Sequence, residues 1–384
     1  MENLRSERIA AIVGVAESDL GVTPGKNVLQ LQAQAAKAAL ADAGFEKEEV
    51  DAIFTAGNWA WSPNLMLAEY LGIQPKYTDG TNIGGSSFES HVGHAVAGIR
   101  AGLFDVALIT YGSTQRSDQS RNRPTPVVQL TDQYERPFGL PLTVGAYALA
   151  AMRHMHLYGT TSEQLAEIAV ATRKWATLNE KAFKREPIEI KDVLESRMIA
   201  EPLHLLDCCL VTDGGGAVIV ASARAAARAK KKPVWILGHG ETHTHQSIVN
   251  MPDLTVTGAR ESGKRAFEMA GVTHDEIDVA EIYDSFTITV LLTLEALGFC
   301  QPGEGGAFVS GQRTAPGGDF PMNTNGGGLS YCHPGMYGIF LLIEAARQLR
   351  GECGARQVEN ARLAVVNGTG GVLSSTSTLI LGRD

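Results

Sequence analysis

Two stretches of this chain, more than two hundred residues apart, repeat one another. Ala43-Gly44-Phe45-Glu46-Lys47-Glu48-Glu49-Val50-Asp51 aligns on its glycine with Ala270-Gly271-Val272-Thr273-His274-Asp275-Glu276-Ile277-Asp278. In each, an apolar segment at helical spacing stops at a glycine suited to a left-handed C-cap, and a strand follows. Around the first copy the pattern reads strand (8–15), helix (27–43), strand (50–54). Around the second, a helix at 264–270 is followed by a strand over 275–283. The likeness continues, since 87–101 then 105–111 reads as helix then strand, as do 335–350 then 361–366. A chain carrying one β-α-β unit twice folds as two similar α/β halves about a pseudo-two-fold axis. Their loops then meet at a shared crevice, where ligands of such sheets bind.

The length leaves room for an insertion between the halves, because 384 residues exceed what two such units need. Residues 114–202 are polar, rich in Arg, Gln and His, and show helices without clear strands. The expected division is an N-terminal half of 1–113 and 203–240, an inserted loop domain of 114–202 covering the crevice, and a C-terminal half of 241–384. With 44% hydrophobic and 20% charged residues the chain is globular, neither disordered nor fibrous. A net charge of −9, with no basic run beyond Lys230-Lys231-Lys232, gives a nucleic-acid partner no electrostatic support. The first residues lack the features of a signal peptide and no apolar stretch of about 18 residues occurs, so a soluble cytoplasmic protein without membrane contact is expected. Five cysteines, with no Cys-x-x-Cys, indicate neither a disulfide framework nor a zinc site.

Three further motifs occur in order: Asp213-Gly214-Gly215-Gly216-Ala217, Tyr283-Asp284-Ser285-Phe286, and Cys332-His333-Pro334-Gly335. With the duplicated halves, they make nearly the whole chain resemble the thiolase superfamily. The nearer likeness is to the sterol-carrier-protein-type thiolases and the related steroid side-chain retro-aldolases. The family's counterparts are an S-D-G-A-A turn, N-E-A-F and G-H-P. The resemblance implies a five-layered αβαβα architecture with an inserted loop domain.

The departures from the family pattern bear on the chemistry. Thiolases open a first-half helix with a nucleophilic cysteine in a stretch resembling N-x-x-C-x-S-G; here Asn82-Ile83-Gly84-Gly85-Ser86-Ser87 puts Gly85 or Ser86 at that place. Their second cysteine lies in a C-x-G-G turn, which here is Asn367-Gly368-Thr369-Gly370-Gly371. Both thiols are absent. A serine hydroxyl needs a dedicated base to attack, so Ser86 is a weaker nucleophile candidate, and a small residue capping the helix is its bland reading. The resemblance keeps His333 as an oxyanion donor, with Tyr283 replacing the asparagine that completes the hole. A phenol O–H and an imidazole N–H suit an enolate oxygen, each such donor contributing roughly 10²- to 10³-fold in rate.

Cys332 is a candidate thiol acid/base or nucleophile, against the reading of a buried small hydrophobe. Tyr331 and Tyr337 are alternatives for the acid/base. Gly85, Asn367, Gly368 and Tyr337 are candidates for binding substrate. Cys208-Cys209 reads as structural, and His239, His243 and His245 as a solvated rim without a metal-ligand pattern. No bound cofactor is expected, a coenzyme A thioester being the substrate.

Loss of both cysteines with the oxyanion donors kept implies retro-aldol cleavage of a 3-hydroxyacyl-CoA. The alternatives are thiolase-type acyl transfer, and a non-catalytic acyl-CoA-binding scaffold. The resemblance also implies a homodimer, packed through 82–88 with Val92, Ala95 and Val96. It implies a small zinc-ribbon/OB-fold partner as well, giving a heterotetramer.

Overall fold

The computed structural model describes residues 8–118, 130–140 and 143–384. Eleven strands occur among them: β1 (Ala10–Glu17), β2 (Ala52–Thr55), β3 (Tyr77–Asp79), β4 (Val106–Ser113), β5 (Met198–Ala200), β6 (Leu203–His204), β7 (Gly214–Ser222), β8 (Val234–His243), β9 (Val279–Ile282), β10 (Leu363–Gly370) and β11 (Ser375–Gly382). The helices that frame them are α1 (Val28–Ala43), α2 (Pro63–Leu71), α3 (Ser87–Arg100), α4 (Val144–Tyr158), α5 (Ser162–Thr177), α6 (Ala259–Ala270), α7 (Thr287–Leu297) and α8 (Gly338–Arg350).

The duplication is visible in the local geometry. Helix α1 ends on Gly44 at φ 75° and α6 on Gly271 at φ 64°, both left-handed, where a side chain would be strained. A single 3₁₀ turn follows each, Lys47–Glu49 and His274–Glu276, closed by a capping box. Then come β2 and β9. Nine strands form one sheet in the order β3-β2-β4-β7-β1-β8-β11-β10-β9. Its two wings join through β1 and β8 at two residue pairs, whereas β8 pairs with β11 at eight.

Helices α3 and α8 pack against strands of both wings and against each other, α1 covers the outer face of the first wing, and α6 with α7 covers that of the second. The layers therefore run helix, sheet, helix, sheet, helix. Because α3 and α8 lie in the middle, both are buried over most of their length, and Phe88, Val92 and Ala95 of α3 are fully enclosed.

The expected boundary at 240/241 lies within β8, whose longer pairing is with the second wing. Two expectations change. The 114–202 segment contains a short strand, β5, paired with β6. Val92 and Ala95 are packed inside the single chain, so they offer no surface to a second copy. No helix among the described residues is long and apolar enough to cross a membrane.

Candidate active site

The ends of the strands open onto one pocket of about 590 Å³. Residues 82–85 before α3, Tyr283 and Ser285 after β9, His333 before α8, and Thr369, Gly370 and Gly371 at the β10–β11 turn line it. His243 and His245 from β8 and its end, Ser375 from β11, and Tyr147 and Cys209 complete the wall.

Tyr283 and His333 meet at this pocket. The Tyr283 hydroxyl lies 3.0 Å from His333 Nε2, and the Tyr337 N–H donates to the same phenol oxygen at 3.0 Å. That oxygen thus accepts a backbone N–H and faces an imidazole nitrogen. Several contacts fix the pair. The His333 N–H donates to Thr212 Oγ1 at 3.0 Å and the Thr212 N–H to the His333 carbonyl at 3.2 Å. The Tyr337 ring lies nearly parallel to His333 and edge-on to Tyr283. The turn over 327–331 leading to His333 is held by Asp284, which accepts the N–H groups of Gly328 at 2.6 Å and Leu329 at 3.1 Å. Burial nonetheless pushes the Asp284 carboxyl up to about 7.

The space beside Gly85 and Gly368, in the two stretches without the family's cysteines, is taken by other groups. A Cβ on Gly85 would lie 2.6 Å from Cζ of the Tyr283 ring and 2.5 Å from the Thr369 carbonyl oxygen. A Cβ on Gly368 would lie 2.5 Å from Glu89 Cδ. Glu89, one turn into α3, is fully buried, and neither carboxyl oxygen has a hydrogen-bond partner among the described residues. Burial pushes its carboxyl up to about 8, so it is held neutral near pH 7.

The other predicted residues lie off the pocket wall. Cys332 is fully buried, and burial raises its thiol well above the usual range, the opposite of an activated thiolate. Tyr331 donates to Glu17 at 2.9 Å in a buried cluster with Arg347. The Tyr337 hydroxyl donates to Asn325 Oδ1 at 2.7 Å, so only its backbone N–H and ring serve the site. Asn367 donates through Nδ2 to Thr378 and accepts the Tyr283 N–H at its carbonyl, positioning the tyrosine without touching the pocket. Gly368 backs onto Glu89. Ser86 is buried and bonds Ser375 Oγ at 2.9 Å rather than capping α3, while Ser87 braces the turn before the helix, accepting the Ile83 N–H and donating to the Gly84 carbonyl.

Other residues stand on the wall instead: His243 and His245, expected at a solvated rim, Cys209, expected to be structural, and Ser375, which carries no motif. One signal was present: His239, Glu241 and His243 alternate along a strand, which puts three polar side chains on one face.

Comparison with known proteins follows the same lines. Residues 240–383 match the family described as thiolase C-terminal domain-like. A steroid side-chain-cleaving aldolase of Thermomonospora curvata is 34% identical over 98% of each chain. The chain belongs to the thiolase superfamily. Within it, a 17-hydroxy-3-oxo-4-pregnene-20-carboxyl-CoA lyase of Mycobacterium tuberculosis is 36% identical over 97% of this chain and 99% of that protein. A solved Ltp2-ChsH2(DUF35) aldolase superposes on this thiolase-superfamily chain with a TM-score of 0.90, at 32% identity and 98% coverage of both.

Proposed function

We propose that this protein cleaves a 3-hydroxyacyl-CoA by a retro-aldol reaction. The observation that carries the reading is the Tyr283–His333 pair at 3.0 Å on a pocket lined by Gly84 and Gly85 and by no cysteine of the 82–88 stretch. The substrate 3-hydroxyl gives its proton to the Tyr283 oxygen as the Tyr283 hydrogen passes to His333 Nε2. The Cα–Cβ bond breaks, its electron pair moves onto the thioester as an enolate, and a carbonyl compound leaves. The new imidazolium lies beside the developing negative charge and offsets it. No acyl-enzyme forms, so no thiolate is needed.

A steroid substrate is the first to try, because the two relatives above are named for one. In the substrate for which that lyase is named, the 17-hydroxyl stands β to the thioester. The named DUF35 component of the aldolase neighbour supports a partner protein here; that this partner is the small zinc-ribbon/OB-fold subunit, in a heterotetramer built on a homodimer, is part of the proposal. The test is product analysis by mass spectrometry, with and without the co-expressed partner. A ketone or aldehyde plus a shortened acyl-CoA is expected without added CoA. Tyr283→Phe should lower the rate about 10²-fold, in line with loss of a positioned acid/base. A second acyl-CoA formed only when free CoA is supplied would instead assign thiolysis.

A further inference from the structure

A second proton-carrying pair stands on the same pocket and has no part in the cleavage step. Ser375 opens β11 and His243 closes β8, and the two residues are register partners. His243 Nδ1 lies 2.9 Å from Ser375 Oγ, which lies 2.9 Å from Ser86 Oγ. Ser86 and Ser375 are buried, whereas the His243 side chain is 48% exposed, with Nε2 3.9 Å from Glu241 Oε1. A line of hydrogen-bonding groups thus runs from solvent to the turn that opens α3. The same turn meets the first pair, because Gly85 abuts the Tyr283 ring and the next residue, Ser86, holds Ser375. The two pairs therefore flank one turn of backbone.

Cleavage leaves Tyr283 and His333 holding the hydroxyl proton next to the newly formed carbonyl product. That proton stands on the carbonyl side of the broken bond. A donor on the other flank does not depend on it. We propose that Ser375, supplied by His243, is the acid that protonates the α-carbon of the enolate; the assignment rests on the retro-aldol reading. The enolate π pair forms the new Cα–H bond as the Ser375 O–H bond breaks. The protonated His243 gives its Nδ1 hydrogen to Ser375 Oγ, and the thioester carbonyl reforms. His243, left neutral, takes a proton from solvent at its exposed edge. Once the carbonyl product has left, the His333 imidazolium gives its proton back through the Tyr283 oxygen to solvent, so the cycle neither gains nor loses a proton. Ser86 positions the serine and touches no reacting atom.

The step is measured alone by following exchange of the α-hydrogens of propionyl-CoA in deuterated buffer. The native chain, with its partner where required, should exchange them. Ser375→Ala and His243→Gln should lower exchange about 10²-fold, more than they lower first-turnover release of the carbonyl product. Ser375→Thr should retain exchange, and imidazole in the buffer should restore it to His243→Ala, which a folding defect would not allow. Exchange at the native rate in the variants, no exchange by the native chain, or equal losses in exchange and carbonyl release would each overturn the assignment. Absence of any carbonyl product from the native chain, by contrast, counts against the retro-aldol reading itself.

Discussion

Gly85 and Tyr283 share one volume, since a Cβ at 85 and the phenol ring at 283 would overlap. Substituting either position alone therefore misjudges the site. Gly85→Ala should lower the melting temperature by several degrees, and adding Tyr283→Asn should recover part of the loss. Neighbours that share space couple by about 0.5–3 kcal/mol. Additive losses, read by calorimetry on the two single variants and the double, would show that the ring is free to move aside.

Glu89 offers a pH test at the same scale. Its carboxyl, ordinarily ionising near 4.5, holds its proton to about 8 because of burial. Between those values the folded chain binds a proton that the unfolded chain has lost. The contribution of Glu89 is therefore fully present below about pH 4.5 and is lost as pH rises through about 8. Glu89→Gln stays neutral throughout, so its stability should fall less between pH 5 and 8. Parallel denaturation curves for the two proteins across that range would refute the burial effect.

Among the elements, the repeat extends to individual contacts. Gly14 in β1 faces the Ala39 carbonyl and Ala43 of α1, and Gly238 in β8 faces the Ala266 carbonyl and Ala270 of α6. Both glycines let a helix approach its strand closely, at equivalent places in the two halves. Gly238→Ala should cost about 1–3 kcal/mol by forcing α6 away from β8, and a midpoint unchanged in urea would show that the helix gives way freely.

The helix-stop glycines 44 and 271 could be read in the sequence because the signal is local. So could the placing of Tyr283 and His333 at one crevice, through motifs of matching order. The Ser375–His243 contact could not be read, since it joins residues 132 apart through the β8–β11 register. Neither could the burial of Val92 and Ala95, which follows from α3 lying between two sheet wings. Cys332 lies off the pocket because a residue next to the motif histidine points away from it where the backbone is extended, and Cys332 has φ −162°; Tyr331 ends the helical turn over 327–331 and its hydroxyl donates to Glu17.

For the whole molecule, assembly turns on the edge of the sheet. Strand β3 pairs with β2 and has no other neighbour among the described strands. Beside it, α2 is anchored by Asn64, whose amide donates to Thr78 Oγ1 at 2.8 Å. Here Trp61 is 99% exposed and Leu65 62%, with Met66 and Tyr70 also exposed. An uncovered edge strand next to clustered large apolar side chains is a surface that single soluble chains avoid and interfaces use. For the proposed homodimer, the expected contact is therefore β3 with α2, in place of the enclosed face of α3. Trp61→Ser with Leu65→Asp should convert two-copy particles to single chains in size-exclusion chromatography with light scattering. Neither residue lines the pocket, so the variant also reports whether cleavage needs the dimer. Particles that keep their native mass would place the contact on another face.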